Sequence, residues 1–364
     1  MFSRSSPVTE AAVLDALRVV QDPDLHKDIV SLGFVKRVVI DGGAVAVTIE
    51  LTTPACPVKE QLRSQAAAAI GGVAGVTSVD VDMTAAVRSA VPPGGGRAPI
   101  PGIRNIIAVG AGKGGVGKTT VAVNLAIALA KLGSRVGIID GDIYGPNVPI
   151  MLGLKTELVA DEQGRILPAE RYGVQVVSMG FLTHDDSPVI WRGPMLHGAV
   201  QQFFRQVAWN DLDYLVIDLP PGTGDVALSL SQSVPVSGAI VVTTPQQVSL
   251  ADTRRAIRMY QKLNIRPLGL IENMSHFVCP GCGHESDIFG HGAGEQLAHA
   301  MEVPFLGRLP IYEPIRIGGD SGQPIVIAEP DSPAARAFKA VAEQAAAQVS
   351  IASFSRVIPL TPVR

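Results

Sequence analysis

Apolar and polar positions along the 364-residue chain divide it into two stretches of different character. In the first, Thr9 to Val20 reads as a helix, Phe34 to Ile40 and Ala44 to Leu51 as strands joined across Asp41-Gly42-Gly43, Val58 to Ile70 as a second helix and Val76 to Val81 as a third strand. That pattern predicts a small α+β domain over residues 1–90. In the second, short apolar runs recur at 105–109, 136–139, 174–177, 214–217, 239–242 and 268–271, with helical segments between them, the first an Ala-rich helix from Thr120 to Leu132 closed by Gly133. Strands alternating with helices predict a doubly wound, mostly parallel α/β sheet over residues 105–350. The Pro/Gly-rich residues 91–104 separate the two as a linker, and 351–364 form a tail. Ser332 to Ile351 has apolar residues at helical spacing and reads as a packing helix.

Composition fits this picture. The chain is 47% hydrophobic and 17% charged, as expected of a large core and a sheet covered on both faces. A net charge of −3 without a Lys/Arg-rich run argues against a nucleic-acid footprint or a polybasic membrane patch. The longest uncharged stretch, Val226 to Ala251, is broken by prolines, serines and glutamines and makes a poor membrane span. Met1-Phe2-Ser3-Arg4-Ser5 has no signal-peptide apolar core, so the expected location is the cytoplasm. Three cysteines do not make a disulfide framework; reduced thiols are better read as ligands or nucleophiles.

The chemistry begins at Gly112-Lys113-Gly114-Gly115-Val116-Gly117-Lys118-Thr119-Thr120. Glycines at this spacing let backbone N–H groups turn onto a nucleotide's phosphates, with Lys118 reaching the β and γ phosphates and the Thr119 hydroxyl on Mg. A buried strand before the loop and a helix after it supply the order the motif needs. Two acidic motifs follow later strands: Asp140-Gly141-Asp142, and Asp218-Leu219-Pro220-Pro221-Gly222-Thr223-Gly224-Asp225. Strand ends are where a doubly wound sheet gathers its site, and phosphoanhydride hydrolysis needs a carboxylate beside the metal and a group to orient water. Asp140 is open between a structural and a metal-adjacent role.

Cys279-Pro280-Gly281-Cys282 is a chelating half-site for a soft metal. Four-coordination needs two further ligands, from His276, His284 or His291 as a local zinc site, or from a second pair in a symmetric dimer. Cys56 precedes Pro57, which suits the first position of a helix, so Cys56 is expected at an N-cap where free N–H groups lower a thiol's pKa. That favours a reactive thiolate or a metal ligand over a plain cap.

Lys113 to Thr120 resembles the signature of the deviant Walker A ATPases residue for residue. Together with the 140–149 stretch, the 218–225 motif, Glu272-Asn273-Met274-Ser275 and the Cys279/Cys282 pair, it is similar to the Mrp/ApbC branch, relatives of the eukaryotic Nbp/Cfd scaffolds and of the bacterial septum-positioning ATPase. Asp22-Pro23-Asp24-Leu25, 28–33 and 52–57 resemble the small cluster-assembly domain often fused ahead of it, with His26 in place of the usual proline. The resemblance implies a homodimeric ATPase that binds ATP and Mg, carries a [4Fe-4S] cluster between subunits on Cys279 and Cys282, and passes it from an assembly scaffold to apoproteins. It implies that Lys113 reaches the partner's nucleotide, Asp142 positions water, Asp218 lies near the metal and Asn273 contacts the base. The alternatives are a cluster-free regulatory or partitioning ATPase with a zinc or structural Cys pair and, ranked below it, a reductase coupling ATP to electron delivery. The amphipathic membrane helix of the septum-site relative is missing from the C-terminal segment.

Overall fold

The computed structural model describes residues 7–90, 99–142, 145–181, 202–222, 234–279 and 281–355. Its contacts form two units, one ending at Arg88 and the other beginning at Ser89. In the first unit, helix α1 (Glu10–Leu17) starts at Thr9, whose hydroxyl accepts the Ala12 amide, and buries Val13 and Leu17. A ribbon of β1 (Gln21–Asp22) and β2 (Lys27–Asp28) precedes the antiparallel hairpin of β3 (Val35–Asp41) and β4 (Ala44–Leu51). Strand β4 buries Val45, Val47, Ile49 and Leu51, the period of two that turns one face inward. Helix α2 (Lys59–Gly71) contributes Leu62, Ala66 and Ile70 to that core and leads to β5 (Ser78–Ala85), parallel to β4.

The second unit opens with β6 (Ile103–Ala111), α3 (Lys118–Lys131), β7 (Val136–Asp140) and α4 (Val148–Leu152). The two-residue strands β8 (Val159–Ala160) and β9 (Ile166–Leu167), then β10 (Ala169–Arg171) and β11 (Val174–Ser178), lead to β12 (Leu212–Asp218) and β13 (Gly238–Thr243). Helix α5 (Gln247–Lys262), β14 (Pro267–Glu272), a small hairpin of β15 (Phe277–Val278) and β16 (Glu285–Ser286), α6 (Ala293–Ala300) and β17 (Phe305–Arg308) come next. Helices α7 (Glu313–Ser321), α8 (Ile325–Ala328) and α9 (Pro333–Ser355) close the unit.

Among the described residues the main sheet has the order β10-β11-β7-β12-β6-β13-β14-β17, and every pairing is parallel except β10 with β11. Strand β6 sits between β12 and β13, so the chain builds one side of the sheet first and then crosses to the other. Such a reversal leaves a crevice beyond the carboxyl ends of the central strands. Strands β7, β12 and β13 are buried along their whole length, which is why they read as unbroken apolar runs. Helix α3 is buried from Val121 to Leu129, lying between the sheet and α9, whose Ala342, Ala345, Ala346 and Val349 are also buried.

Three boundaries differ from the sequence pattern. Ile103 and Arg104 of the predicted linker belong to β6, α3 starts at Lys118, and α9 runs to Ser355, inside the expected tail. Ile143 and Tyr144, Thr223 to Asp225, residues 91–98 of the linker and 356–364 of the tail lie outside the described residues. No helix among the described residues is long and apolar enough to cross a membrane.

Candidate functional site

The loop between β6 and α3 is fixed by backbone contacts that only glycine admits. A Cβ on Gly112 would run into the Asp252 and Thr253 backbone of α5. Gly117 caps α3 at φ 79°, a left-handed conformation, and a Cβ there would strike the Asn273 amide. Asn273, nearly buried just past the end of β14, donates Nδ2 to the Val116 carbonyl at 2.8 Å and so pins the loop from the neighbouring strand. Val116 is buried, while Lys113, Thr119 and Thr120 are half-buried and Gly114 and Gly115 exposed. Among the described residues nothing accepts from the Lys113 ammonium.

Lys118, the first residue of α3, points across to β12. Its Nζ lies 2.5 Å from Asp218 Oδ1, and the Thr119 hydroxyl donates to Asp218 Oδ2 at 2.7 Å. Asp218 is fully buried, and burial pushes its carboxyl up against the opposing pull of the Lys118 ammonium and the Thr119 hydroxyl. A hydroxyl and a carboxylate oxygen this close, beside a phosphate loop, suit a small hard cation that keeps several waters, and the donor set fits Mg.

Asp140, fully buried at the end of β7, has a different task. It accepts the amides of Asp142 at 3.2 Å and Val148 at 3.1 Å and the Ser178 hydroxyl at 3.1 Å. One carboxyl thereby holds both ends of the segment between β7 and α4, and Asp142 is presented half-buried at its start. Burial, with the Asp218 charge behind it, pushes the Asp140 carboxyl up to about 7. The Gly141 amide donates to the Asp218 carbonyl at 2.8 Å, tying the two acidic motifs together. The structure thus gives Asp140 the structural role, and Ser178 is a partner that no local motif announces.

A cavity of about 700 Å³ runs from Gly117, Thr119 and Thr120 to Asn273, Ile311 and Tyr312, within the range of small-ligand sites. Its walls are mainly apolar away from the loop, the distribution a nucleotide asks for, with phosphates on amides and base against hydrocarbon.

Cys279 and Cys282 stand apart, on the turn between β15 and β16. The Cys279 sulfur accepts the backbone amides of Gly281 and Cys282 and the Cys282 thiol, which together lower its pKa. Amides aimed at a sulfur favour the thiolate, the form that binds metal. The Cys279 amide donates to the His284 carbonyl and the Gly283 amide to the Cys279 carbonyl, closing the turn at 2.9 and 2.8 Å. Among the described residues no group of three or more His, Cys, Asp or Glu side chains could hold a metal, so His276, His284 and His291 do not complete a local site there.

Cys56 is not an N-cap. Helix α2 begins at Lys59 with Val58 as its cap, and the Cys56 carbonyl accepts the Lys59 amide at 3.3 Å in the turn before it. Residues 54–58 are used to turn the chain out of β4, which moves the helix start two positions past Pro57. Cys56 is half-buried and lies two residues ahead of the cap.

Glu272 was not singled out for its side chain by any sequence pattern. Fully buried at the end of β14, it accepts the Ser275 hydroxyl at 2.6 Å and the Gly292 and Gly294 amides at 3.3 and 2.5 Å, capping α6.

Residues 102–346 match the family model described as NUBPL iron-transfer P-loop NTPase, and residues 10–81 match one described as iron-sulfur cluster assembly protein. A Synechocystis protein named iron-sulfur cluster carrier protein is 48% identical, over 95% of this chain and 99% of its own. The Escherichia coli K12 protein of the same name is 38% identical, over 95% of this chain and 94% of its own. Among solved structures, an Archaeoglobus fulgidus nucleotide-binding protein in complex with ADP shares 37% identity at a TM-score of 0.56, covering 64% of this chain and 91% of that one. The Pyrococcus furiosus cell division ATPase MinD shares 27% at 0.51, covering 66% of this chain and 97% of that one. With its phosphate loop, its buried Lys118–Asp218 pair and its cysteine turn, the chain belongs to the NUBPL iron-transfer P-loop NTPase family.

Proposed function

We propose that this chain is an ATP-hydrolysing iron–sulfur cluster carrier that receives a [4Fe-4S] cluster from an assembly scaffold and delivers it to apoproteins, working as a cytoplasmic homodimer without nucleic acid or membrane. The observation that carries this reading is the turn at Cys279: two adjacent thiols, one of them accepting two backbone amides, in the same unit as a phosphate loop. Two thiolates are half of the set that a [4Fe-4S] cluster takes, and two-fold symmetry supplies the other half from the same turn of a second copy.

On the nucleotide side, loop amides and Lys118 bind the β and γ phosphates, and Asn273 borders the base while holding the loop at Val116. Thr119 and Asp218 would hold Mg, which spreads the negative charge that develops on the transferred phosphoryl group. Asp142, placed by the Asp140 clamp, orients the attacking water. Lys113, exposed enough to reach outward from the loop, places its charge on the nucleotide of a second copy.

The test is iron, sulfide and zinc content after anaerobic reconstitution of the wild type beside the Cys279→Ala/Cys282→Ala variant. About four iron and four sulfide per two chains, absent from the variant, is the expected result. Stoichiometric zinc, or no metal in either protein, would overturn the carrier reading and leave a nucleotide switch.

A further inference from the structure

The hairpin that carries the cysteines is built into the wall of the nucleotide cavity. Its inner limb is hydrogen-bonded to the strip that lines the base end: the Val278 amide donates to the Ile311 carbonyl at 3.2 Å, the Ile311 amide to the His276 carbonyl at 2.6 Å, and the Ser275 amide to the Leu309 carbonyl at 3.0 Å. Its outer limb returns through Ile288 and Phe289, which line the cavity, to Gly292 and Gly294, where Glu272 holds the start of α6. Both roots of the hairpin are therefore tied to the end of β14, the strand end that also places Asn273 on the phosphate loop.

Between those roots, Ile288 and Phe289 are 56% and 37% exposed, large apolar side chains facing a cavity rather than a core. A planar base entering between Ile311 and this pair would give them the apolar contact they otherwise lack. They follow Cys282 by only a few residues and belong to the same limb as β16.

We infer that Ile288 and Phe289 are positioning residues through which nucleotide in the cavity sets the stance of the Cys279/Cys282 turn. The inference rests on the proposed nucleotide site but not on the cluster. Nucleotide packed against the pair steadies the outer limb, and the turn between the limbs opens less often. Cys279 reports this directly, because it is half-buried and sits at the turn between the two limbs.

The experiment is alkylation of the cluster-free full chain at about pH 9.5, where the thiol is ionised in either stance of the turn and only its accessibility differs, with the modified cysteine identified by peptide mass. It is run without nucleotide and at concentrations of Mg-ADP or a non-hydrolysable ATP analogue that saturate each protein. In the wild type, nucleotide is expected to slow Cys279 alkylation by roughly fivefold or more, the lower end of typical coupling between two sites. In Ile288→Ala/Phe289→Ala at saturation the effect should fall below about twofold, while Phe289→Leu, which keeps an apolar contact, should retain most of it. Equal protection in the double variant, or none in a wild type with nucleotide bound, would overturn the inference. A dimeric wild type beside a monomeric double variant in sedimentation would also overturn it, by making the pair a subunit contact. Failure of the wild type to bind nucleotide at all would strike the proposed site instead, and failure to take up iron would strike only the carrier reading.

Discussion

The phosphate loop and the cysteine turn are both short, glycine-containing loops at the same end of one sheet, yet they are finished to different degrees. The phosphate loop is over-determined: Gly112 is pressed on α5, Gly117 on Asn273, Val116 is pinned from β14, and Lys118 is buried against Asp218. The cysteine turn has two strands of two residues each, one half-buried thiol and one exposed thiol. Topology alone completes the first, because parallel strands must end together and their ends meet the loop. The second is prepared in its backbone and offers two thiols. A chain can encode a nucleotide site by itself; on the proposed reading, a four-thiolate site from two cysteines is encoded as a surface that meets its own copy.

That contrast can be broken experimentally. The largest effect is expected at the turn: Cys279→Ser or Cys282→Ser should abolish iron retention while nucleotide affinity, followed by calorimetry, stays at the wild-type value. Loss of nucleotide binding in either variant would show that the two loops are one site. Next, Lys118→Ala should weaken Mg-ATP binding by roughly a hundredfold, the value of losing charge-assisted hydrogen bonds to phosphate, and leave the cysteines able to take up iron.

Asp140 gives an effect that pH reveals. A carboxyl whose folded pKa is raised from 3.8 to about 7 binds its proton more tightly folded than unfolded. Its stabilising contribution is complete below 3.8 and is lost as pH rises through 7. Between about pH 5 and 8 the nucleotide-free wild type should therefore lose on the order of 2 kcal/mol relative to Asp140→Asn, read as converging or crossing melting curves. Parallel curves would mean that Asp140 is ionised throughout. The smallest effect is expected for Asn273→Ala, which removes one hydrogen bond to the loop and should cost about 1 kcal/mol in nucleotide affinity. A larger loss would sharpen the comparison, showing that the loop depends on its neighbour strand more than on its own glycines.

Much of this was legible in the chain because the signals were local. The apolar runs at 136–139 and 214–217 became β7 and β12, and the aspartate after the second arrived beside Lys118. What escaped was made by distant partners or by weak patterns. Strand β17 is four residues of mixed burial with Gly307 inside it, and β10 is a mostly exposed edge, so neither carries an apolar run. Cys56 was placed by Pro57 as if a proline before a helix always opens it, whereas the exit from β4 needed those residues for its own turn. Ser178 on Asp140, Glu272 on Gly292 and Gly294, and the share of Ile288 and Phe289 in the cavity wall are contacts between segments that share no periodicity.

The order in which the parts leave the ribosome adds a consequence. Helix α3 begins with the phosphate-binding lysine at position 118, but the helix that lies over it, α9, is not made until residues 333–355. Until then the face of α3 that α9 covers has no partner, and earlier still the sheet lacks its β14–β17 side, which leads to Asn273 and the base end of the cavity. A nascent chain therefore carries Val116 through 157 residues of synthesis before Asn273, which pins it, is made, and carries α3 for longer still before α9 lies over it. Nucleotide capture is in this sense a late checkpoint on synthesis, and a chain that stops short of α9 would be expected to present thiols without the ability to respond to ATP.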